Sequence, residues 1–217
     1  MKKFSRLYRT DTEALDPELR RRLDAVFLPT LQHLEVQNPR LLVVFSGGNA
    51  TGKSALSRKI GDELFGLVLE NDAIKRAVLE HLPDITRPEL NTVTWQYSMD
   101  LYRRLSALTQ NGLVVRDGII DWYFDRILPV FEQQGYPLFI VQYELTREAA
   151  AGLVVARGDT PTVTTEILLT QLEDHAVHQQ RFRSTYDADI ILTEENMFDH
   201  DAVIRQLRLV IEVLRDA

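Results

Sequence analysis

The chain carries, at residues 41–60, the sequence LLVVFSGGNATGKSALSRKI, and this stretch decides the fold. It opens with an apolar run, Leu41 to Phe45, which predicts a short strand buried on both faces. After Ser46, the eight residues from Gly47 to Ser54 fit the Walker A pattern of glycine, four variable residues, then glycine, lysine and serine or threonine. Between a strand and a helix, this pattern is typical of a loop that binds phosphate. The alternative is a glycine-rich turn that binds nothing.

Each residue type in this loop has a physical role in holding a nucleotide. Because glycine has no Cβ, Gly47, Gly48 and Gly52 allow a tight turn whose amide hydrogens converge on one anion. The helix that should begin near Lys53 directs its positive end at the same point. Lys53 is predicted to bridge the β- and γ-phosphates of ATP, and the Ser54 hydroxyl to bind Mg²⁺. The predicted nucleotide-binding residues are Gly47, Gly48, Asn49, Ala50, Thr51, Gly52, Lys53, Ser54 and Ala55.

The composition narrows the class of protein. With 217 residues, 45% hydrophobic and 26% charged, the chain suits one soluble domain, with or without a small appendage. It has no cysteine, which excludes disulfides, thiolate metal sites and cysteine nucleophiles. The net charge of −7 disfavours nucleic acid as a partner. No apolar run suggests a signal peptide or a membrane span, so we expect a cytoplasmic protein that does not bind membranes.

Residues 1–40 precede the first predicted strand and form a predicted N-terminal helical extension to a domain at 41–217. Asp16 and Pro17 predict the cap and first turn of a helix. Pro29 is expected to end or bend it. Apolar residues at helical spacing favour packing on the flank of the domain, with a partner-binding arm as the alternative.

Carboxylates follow two further predicted strands of this α/β pattern. Strand 67–69 leads to Asp72, and strand 113–118 contains Asp117 near its end. In open parallel sheets, ligands bind at the carboxyl ends of the strands. We therefore predict that Asp72 acts in catalysis and contacts the substrate, with capping of the next helix as the alternative. Asp117 is predicted to hold Mg²⁺ with Ser54, with a purely structural role as the alternative.

Other charged residues near these strand ends are candidates for binding the substrate. Lys75 and Arg76 follow Asp72 by one helical turn and could meet an anionic substrate, although solvated charges are an equal alternative. Asp121 lies near the start of a predicted helix, on the side of the sheet that should face the ligand. Arg116 is an unusual interruption, because a central strand should be apolar there.

A predicted lid spans residues 157–183. One helix is expected to run to about residue 156, turn residues follow, and a second helix restarts at Thr164 or Thr165 and continues past His178. Helix, basic turn and helix are typical of a segment that closes over phosphates. Arg157 is predicted to contact the transferred phosphoryl group, with Arg181 and Arg183 as weaker candidates.

Histidines at two places in the sequence could be metal ligands, but another role is favoured at each place. His175 and His178 are three residues apart on the predicted helix, but no thiolate or acidic cluster accompanies them, so packing is favoured. In Asp199-His200-Asp201, one aspartate is expected to cap the last helix.

From residue 41 to the C-terminus, the chain resembles small P-loop kinases of the adenylate-kinase-like group. This group includes predicted bacterial ATPase/kinase domains related to polynucleotide 5′-kinases, gluconate kinases, antibiotic phosphotransferases and zeta-toxin-like kinases. The resemblance rests on GGNATGKS at 47–54, Asn71-Asp72 with Lys75-Arg76, Val115-Arg116-Asp117-Gly118, and Ala156-Arg157-Gly158-Asp159.

The resemblance implies a three-layer α/β P-loop NTPase fold. Its five-stranded parallel sheet would have the order 2-3-1-4-5, with helices on both faces. Asp72 would accept or orient the substrate hydroxyl. Such kinases often carry two lid arginines about one turn apart, but residues 152–154 contain none before Arg157. The lid is therefore expected to be weaker or differently built.

Together, these features predict a phosphotransferase that moves the γ-phosphoryl group of ATP-Mg²⁺ to a hydroxyl of a small molecule or nucleotide. Lys53, Asp72 and Arg157 are the predicted catalytic residues. One alternative is a nucleotide-dependent ATPase or switch that acts on a protein partner. Another is a degenerate kinase that binds nucleotide without catalysis. A GTPase is disfavoured because no Asn-Lys-x-Asp segment follows the fourth strand.

Overall fold

The computed structural model describes residues 15–32, 38–160 and 163–216. The chain divides into two compact units. Within the described ranges, the first unit contains residues 15–32 and 70–109, and the second contains residues 38–69 and 110–216.

The five strands form one sheet. They are β1 Leu41–Ser46, β2 Leu67–Glu70, β3 Leu113–Ile119, β4 Leu138–Glu144 and β5 Ile190–Thr193. Their order across the sheet is β2-β3-β1-β4-β5. β1 runs parallel to β3 and β4, and β4 runs parallel to β5. Helices cover both faces of this parallel sheet, so the predicted fold class and strand order are confirmed.

Helices flank the strands along the described ranges. They are α1 Pro17–Gln32, α2 Lys53–Leu64, α3 Asn71–His81, α4 Arg87–Leu108, α5 Phe124–Glu132, α6 Arg147–Arg157, α7 Thr165–Thr170, α8 Leu172–Arg183 and α9 His200–Asp216. The Asp16 carboxylate accepts from the amide of Leu19 at 2.8 Å, which confirms the predicted cap of α1. Asp199 likewise caps α9. None of the helices in the described ranges is long and apolar enough to cross a membrane.

The first unit is built from α1, α3 and α4. Leu23 of α1 is fully buried, and the carboxylate of Asp24 binds Arg104 of α4 at 2.9 Å. The Tyr97 hydroxyl donates to the same carboxylate at 3.1 Å. These contacts agree with the interpretation of α1 as a packed helix. α1 also continues through Pro29 to Gln32, so Pro29 does not end it.

The core of the second unit lies between the sheet and its helices. All six residues of β1 are buried, as expected for a central strand. Leu56 and Ile60 of α2 and Leu207 of α9 pack in the same hydrophobic cluster as Phe45 of β1. Each such side chain contributes about 1.5–3 kcal/mol on burial. This packing fixes the first turn of α2 beside the carboxyl end of β1.

β3 contains a bulge at residues 116–118. Val115 and Ile119 pair with β1 residues that are only two apart, so β3 has two extra residues between them. Gly118 has φ 141°, which favours glycine. Arg116 is 2% exposed, and its Nη1 donates to the carbonyls of Gly118 at 3.2 Å and Ile119 at 3.1 Å. The charge that interrupts the strand therefore stabilises the backbone of its own bulge.

Candidate active site

The loop between β1 and α2 has the backbone of a tight turn. Gly47 has φ 115° and Gly52 has φ 87°. A Cβ at Gly47 would lie 2.7 Å from the carbonyl oxygen of Tyr143, so only glycine fits there. A Cβ at Gly48 would meet nothing within 4 Å. The turn thus requires glycine at 47 and 52 but not at 48.

The loop leads directly into the amino terminus of α2. Gly52 occupies the cap position, and no side chain caps the helix. The carbonyl of Gly52 accepts from the amides of Ala55 at 3.0 Å and Leu56 at 3.1 Å. The first amides of a helix have no partner within it, and they attract anions together with the helix dipole. The loop and this helix end therefore form a site that suits a phosphate group.

Lys53 is buried against the loop that precedes it. Its side chain donates to the Gly48 carbonyl and, at 2.8 Å, to the hydroxyl of Thr51. Burial lowers the pKa of Lys53 to about 8, while the negative charges of Asp121 and Asp117 act in the opposite direction. Lys53 is therefore mostly charged at neutral pH. The loop takes up two of the three hydrogens of its ammonium group, which leaves one for a further acceptor.

Ser54 and Asp117 meet at the first turn of α2. The Ser54 hydroxyl donates to Oδ1 of Asp117 at 3.2 Å, and the bulge in β3 places Asp117 there. Hydroxyl and carboxylate oxygens are ligands that Mg²⁺ prefers, and Mg²⁺ usually keeps several waters beside one or two protein ligands. No group of three or more acidic, histidine or cysteine residues in the described ranges could hold a metal by itself. The donor set therefore fits Mg²⁺ shared with a nucleotide.

Asp121 supports the start of the loop. It is 1% exposed, and its Oδ2 accepts from the Gly47 amide at 2.8 Å. Burial raises the pKa of Asp121, whereas this amide, the nearby Ser46 hydroxyl and the charge of Lys53 favour the ionised form. Its Oδ1 is buried without hydrogen-bond geometry to any described residue. Asp121 anchors the loop here, and its predicted contact with the substrate stays a prediction.

His175 joins α8 to the loop of residues 47–52, the predicted phosphate loop, through a contact that the sequence did not predict. Its Nδ1 lies 2.9 Å from the indole nitrogen of Trp122, and its Nε2 lies 2.9 Å from the side-chain amide of Asn49. The ring of His178 stacks on Trp122 with 4.2 Å between centroids. Burial lowers the pKa of His175 to about 4. Both histidines pack against Trp122, in agreement with the interpretation that they are packing residues.

The three arginines of the predicted lid differ in their surroundings. Arg157 is exposed at the end of α6, and its charge is near enough to lower the pKa of Lys53. Arg181 pairs with Asp125 at 3.0 Å, and Arg183 pairs with Glu144 at 2.6 Å. Arg157 forms no ion pair with any residue in the described ranges. It is therefore the arginine most available to an incoming anion.

The predicted second helix of the lid is in fact two helices, α7 and α8, that meet at Gln171. α8 is fixed to the core of its unit. Gln179 donates to the carbonyl of Tyr143 at 2.8 Å, and Phe182 is fully buried. A lid spanning 157–183 stays a prediction, and α8 is the part of it that is docked here.

Asp72, Lys75 and Arg76 lie on α3 in the first unit, whereas the loop, Asp117, Asp121 and Arg157 lie in the second. α3 begins at Asn71 with Glu70 at its cap position, so the alternative that Asp72 caps the helix is wrong. The Asp72 side chain is 46% exposed and its Oδ1 binds Lys75 at 3.1 Å. Arg76 pairs with Glu70 at 3.6 Å.

Phe198 is a further candidate that sequence reasoning missed. Its side chain is 67% exposed, and its ring lies 3.7 Å from the position that a Cβ at Gly52 would occupy. Exposed aromatic rings offer a face on which a nucleobase can stack. Its position in the turn before α9 gave no signal, because a single aromatic residue in a turn has no pattern.

Neither the protein-family models nor the curated proteins contain a match to this sequence. Solved structures match at low identity. A chain of the PezAT chromosomal toxin-antitoxin system of Streptococcus pneumoniae matches with a TM-score of 0.60 and 14% identity, over 84% of this chain and 80% of that one.

Two more structures are similar. The tunicamycin resistance protein of Deinococcus radiodurans has a TM-score of 0.53 and 13% identity, over 79% of this chain and 95% of that one. The shikimate kinase of Bacteroides thetaiotaomicron has a TM-score of 0.51 and 13% identity, over 79% of this chain and 98% of that one. Structural similarity at 13–14% sequence identity shows only a shared fold. The chain therefore has the P-loop kinase-like fold that the resemblance implied.

Proposed function

We propose that this protein transfers the γ-phosphoryl group of ATP, bound with Mg²⁺, to a hydroxyl group of a small molecule or nucleotide. The observation that carries the proposal is the 3.2 Å contact between Ser54 and Asp117 beside the turn of Gly47 and Gly52. A pair of hard oxygen ligands beside a turn that leads into a helix amino terminus suits a metal-bound triphosphate.

Each candidate site residue of the second unit has a defined role in this proposal. Phosphoryl transfer depends mostly on positioning and on neutralising charge. The loop amides and the start of α2 bind the phosphates, and Lys53 exchanges its contact with Gly48 for the β- and γ-oxygens. Ser54 and Asp117 would hold Mg²⁺, which neutralises charge on the phosphate oxygens. Arg157 supplies a further positive charge to the transferred group.

Three residues of α3 are assigned to the acceptor. Asp72 follows the carboxyl end of β2 and is half-exposed, so its carboxylate is accessible to a hydroxyl group. It orients that hydroxyl for attack. Lys75 and Arg76 are also partly exposed and suit an acceptor that carries negative charge.

Phe198 is proposed to stack on the base of the nucleotide. Its exposed ring lies beside Gly52, on the loop that binds the phosphates. Replacing it with alanine should weaken ATP binding by about 5- to 150-fold, because base stacking contributes about 1–3 kcal/mol. Unchanged affinity would remove Phe198 from the site.

The test is incubation with ATP labelled at the γ-phosphate and a panel of acceptors. The panel contains sugars, sugar acids, nucleosides and oligonucleotide ends. It also contains shikimate, because a similar structure is a shikimate kinase. Label on an acceptor supports the proposal. Hydrolysis without an acceptor indicates a nucleotide-dependent switch, and tight binding without turnover indicates a degenerate kinase.

A matched pair of lysine variants controls this assay. Lys53→Ala should lower turnover by several orders of magnitude, because the triphosphate loses its fixed positive charge. Lys59→Ala changes a lysine of the same helix that pairs with Glu63 at 3.2 Å and Asp201 at 2.8 Å, and it should leave turnover unchanged. Equal turnover in both variants would refute the proposed site.

A further inference from the structure

The contacts of His175 define which of its nitrogens carries the proton. The indole nitrogen of Trp122 can only donate, so Nδ1 of His175, 2.9 Å away, must accept and carries no proton. The proton of the neutral ring is then on Nε2, which lies 2.9 Å from the side-chain amide of Asn49. The amide atom that faces Nε2 here is the nitrogen Nδ2, which cannot accept a proton. Because the oxygen and nitrogen of an amide have nearly equal shape, we infer that Asn49 turns its oxygen to the ring and accepts there.

The surroundings hold His175 in this neutral form. A second proton on Nδ1 would place two donors face to face at Trp122. The ring is 7% exposed, and the charged or titratable groups that act on it are Lys53 and His178, both of which disfavour a positive charge there. His175 therefore offers Asn49 a permanent donor.

Further contacts hold α8, the helix that carries this donor, in place. His175, Gln179 and Arg183 are spaced by four residues, so they lie on one face of the helix. Gln179 binds the carbonyl of Tyr143 and Arg183 binds Glu144, both at the end of β4. The same face of α8 thus contacts the core strand and the phosphate loop.

Asn49 occupies the part of the loop that needs support. It stands between Gly48, whose carbonyl accepts from Lys53, and Ala50, which has φ 63°. A positive φ is unfavourable for alanine, so the turn persists only where neighbouring contacts hold it. The hydrogen bond to His175 is such a contact.

We propose that His175 is a positioning residue for nucleotide binding, which holds Asn49 and so orders the phosphate loop before the nucleotide arrives. Trp122 sets the tautomer that makes this possible. The inference rests on the proposed function, because it assigns His175 to the same site. A loop that is ordered in advance loses less entropy on binding, so the benefit appears in affinity.

Three substitutions separate the two contacts of His175. His175→Gln has the length to donate to Asn49 but offers Trp122 no equivalent acceptor. His175→Asn keeps an acceptor near Trp122 but is too short for Asn49. His175→Phe keeps the ring and loses both contacts. We expect the asparagine and phenylalanine variants to bind ATP about 3- to 10-fold more weakly in calorimetry, and the glutamine variant to bind within about twofold of the wild type.

A double-mutant cycle with Asn49→Ala tests whether the two side chains act as one unit. The single variant should weaken ATP binding by the same factor as His175→Asn, and the double variant should be no weaker than either. Additive losses, or wild-type affinity in His175→Phe and His175→Asn, would overturn the proposal. Thermal melting of the same variants identifies any that fail to fold. If the His175 variants do not fold, the ATP affinity of Asn49→Ala, a change at a half-buried loop position, still tests the proposal.

A measurement without nucleotide separates this inference from the proposed function. Long-range ¹H–¹⁵N NMR correlations of the imidazole should show His175 protonated on Nε2 at neutral pH. A proton on Nδ1, or a charged ring, would overturn the positioning role even if ATP binds. Failure of the wild type to bind ATP, with the Nε2 tautomer present, would instead refute the proposed function and any role of His175 in it.

Discussion

The Ser54 hydroxyl donates to Oδ1 of Asp117 across 3.2 Å, which joins the first turn of α2 to the bulge of β3. Asp117→Asn keeps an oxygen acceptor but removes the charge that attracts a cation. We expect the Mg²⁺ concentration for half-maximal turnover to rise about 10- to 100-fold. Titration of Mg²⁺ at saturating ATP measures it. Asp125→Asn breaks a surface ion pair instead and should leave the Mg²⁺ requirement unchanged, so equal effects would contradict the assignment.

The affinity for ATP should fall as the pH rises through about 8. The folded pKa of Lys53 is lowered to about 8, mainly by burial, so the charge that attracts phosphate is lost above that pH. Arg157→Gln removes a positive neighbour and should move the midpoint to higher pH. Dissociation constants between pH 7 and 9.5 give the midpoint separately from the overall affinity. Arg208→Gln, which only breaks a surface pair with Glu63, should not move it.

Asp72→Asn should leave ATP binding intact and abolish phosphoryl transfer. The amide cannot accept a proton from the acceptor hydroxyl, whereas the loop proposed to bind ATP lies in the other unit and should keep all its contacts. Calorimetry with ATP and an acceptor assay measure the two effects separately. Asp84→Asn changes an exposed aspartate beyond α3 and serves as the control. A fully active Asp72→Asn enzyme would exclude Asp72 from the mechanism.

Gly47→Ala should destabilise the protein by about 2–4 kcal/mol, whereas Gly48→Ala should cost less than about 1 kcal/mol. The first change forces a side chain into φ 115° and against the backbone of Tyr143, and the second places a methyl group in open space. The midpoints of urea unfolding of the two variants provide the comparison. Equal free energies of unfolding would show that the turn can relax around the new methyl group.

The stability of the fold should decrease on acidification partly because of His175. Its folded pKa of about 4 lies below the value of about 6.5 in an unfolded chain, so the unfolded state binds more protons between these values. The wild type should therefore lose about 2 kcal/mol more than His175→Asn between pH 7 and 5. Chemical denaturation of both proteins at the two pH values tests this. Parallel losses would mean that His175 titrates normally.

The fold could be predicted because its main signals are local in the sequence. The stretch of residues 41–60 contains a strand, a turn and the start of a helix in succession, and the resemblance to small kinases supplied the strand order. The caps at Asp16 and Asp199 were predictable for the same reason, since a cap and its amide partner are only three residues apart.

Other features escaped prediction because they depend on distant or irregular contacts. Asn49 and His175 are 126 residues apart in the sequence, and no periodic pattern connects them. The bulge of β3 breaks the alternation of the strand, which a sequence pattern does not reveal. The buried Arg116 is explained only by the carbonyls of the bulge that accept its hydrogen bonds. The break between α7 and α8 at Gln171 could not be predicted, because most residues around it, such as Leu169 and Leu172, are ordinary helix formers.

The irregular end of β3 has a consequence for how this sequence can vary. Asp117 and Asp121 reach opposite ends of the phosphate loop from a single continuous segment. A one-residue insertion or deletion between positions 117 and 121 would shift the two carboxylates relative to each other and detach at least one of them. We expect related proteins to preserve the length of this segment as strictly as that of the glycine-rich motif itself.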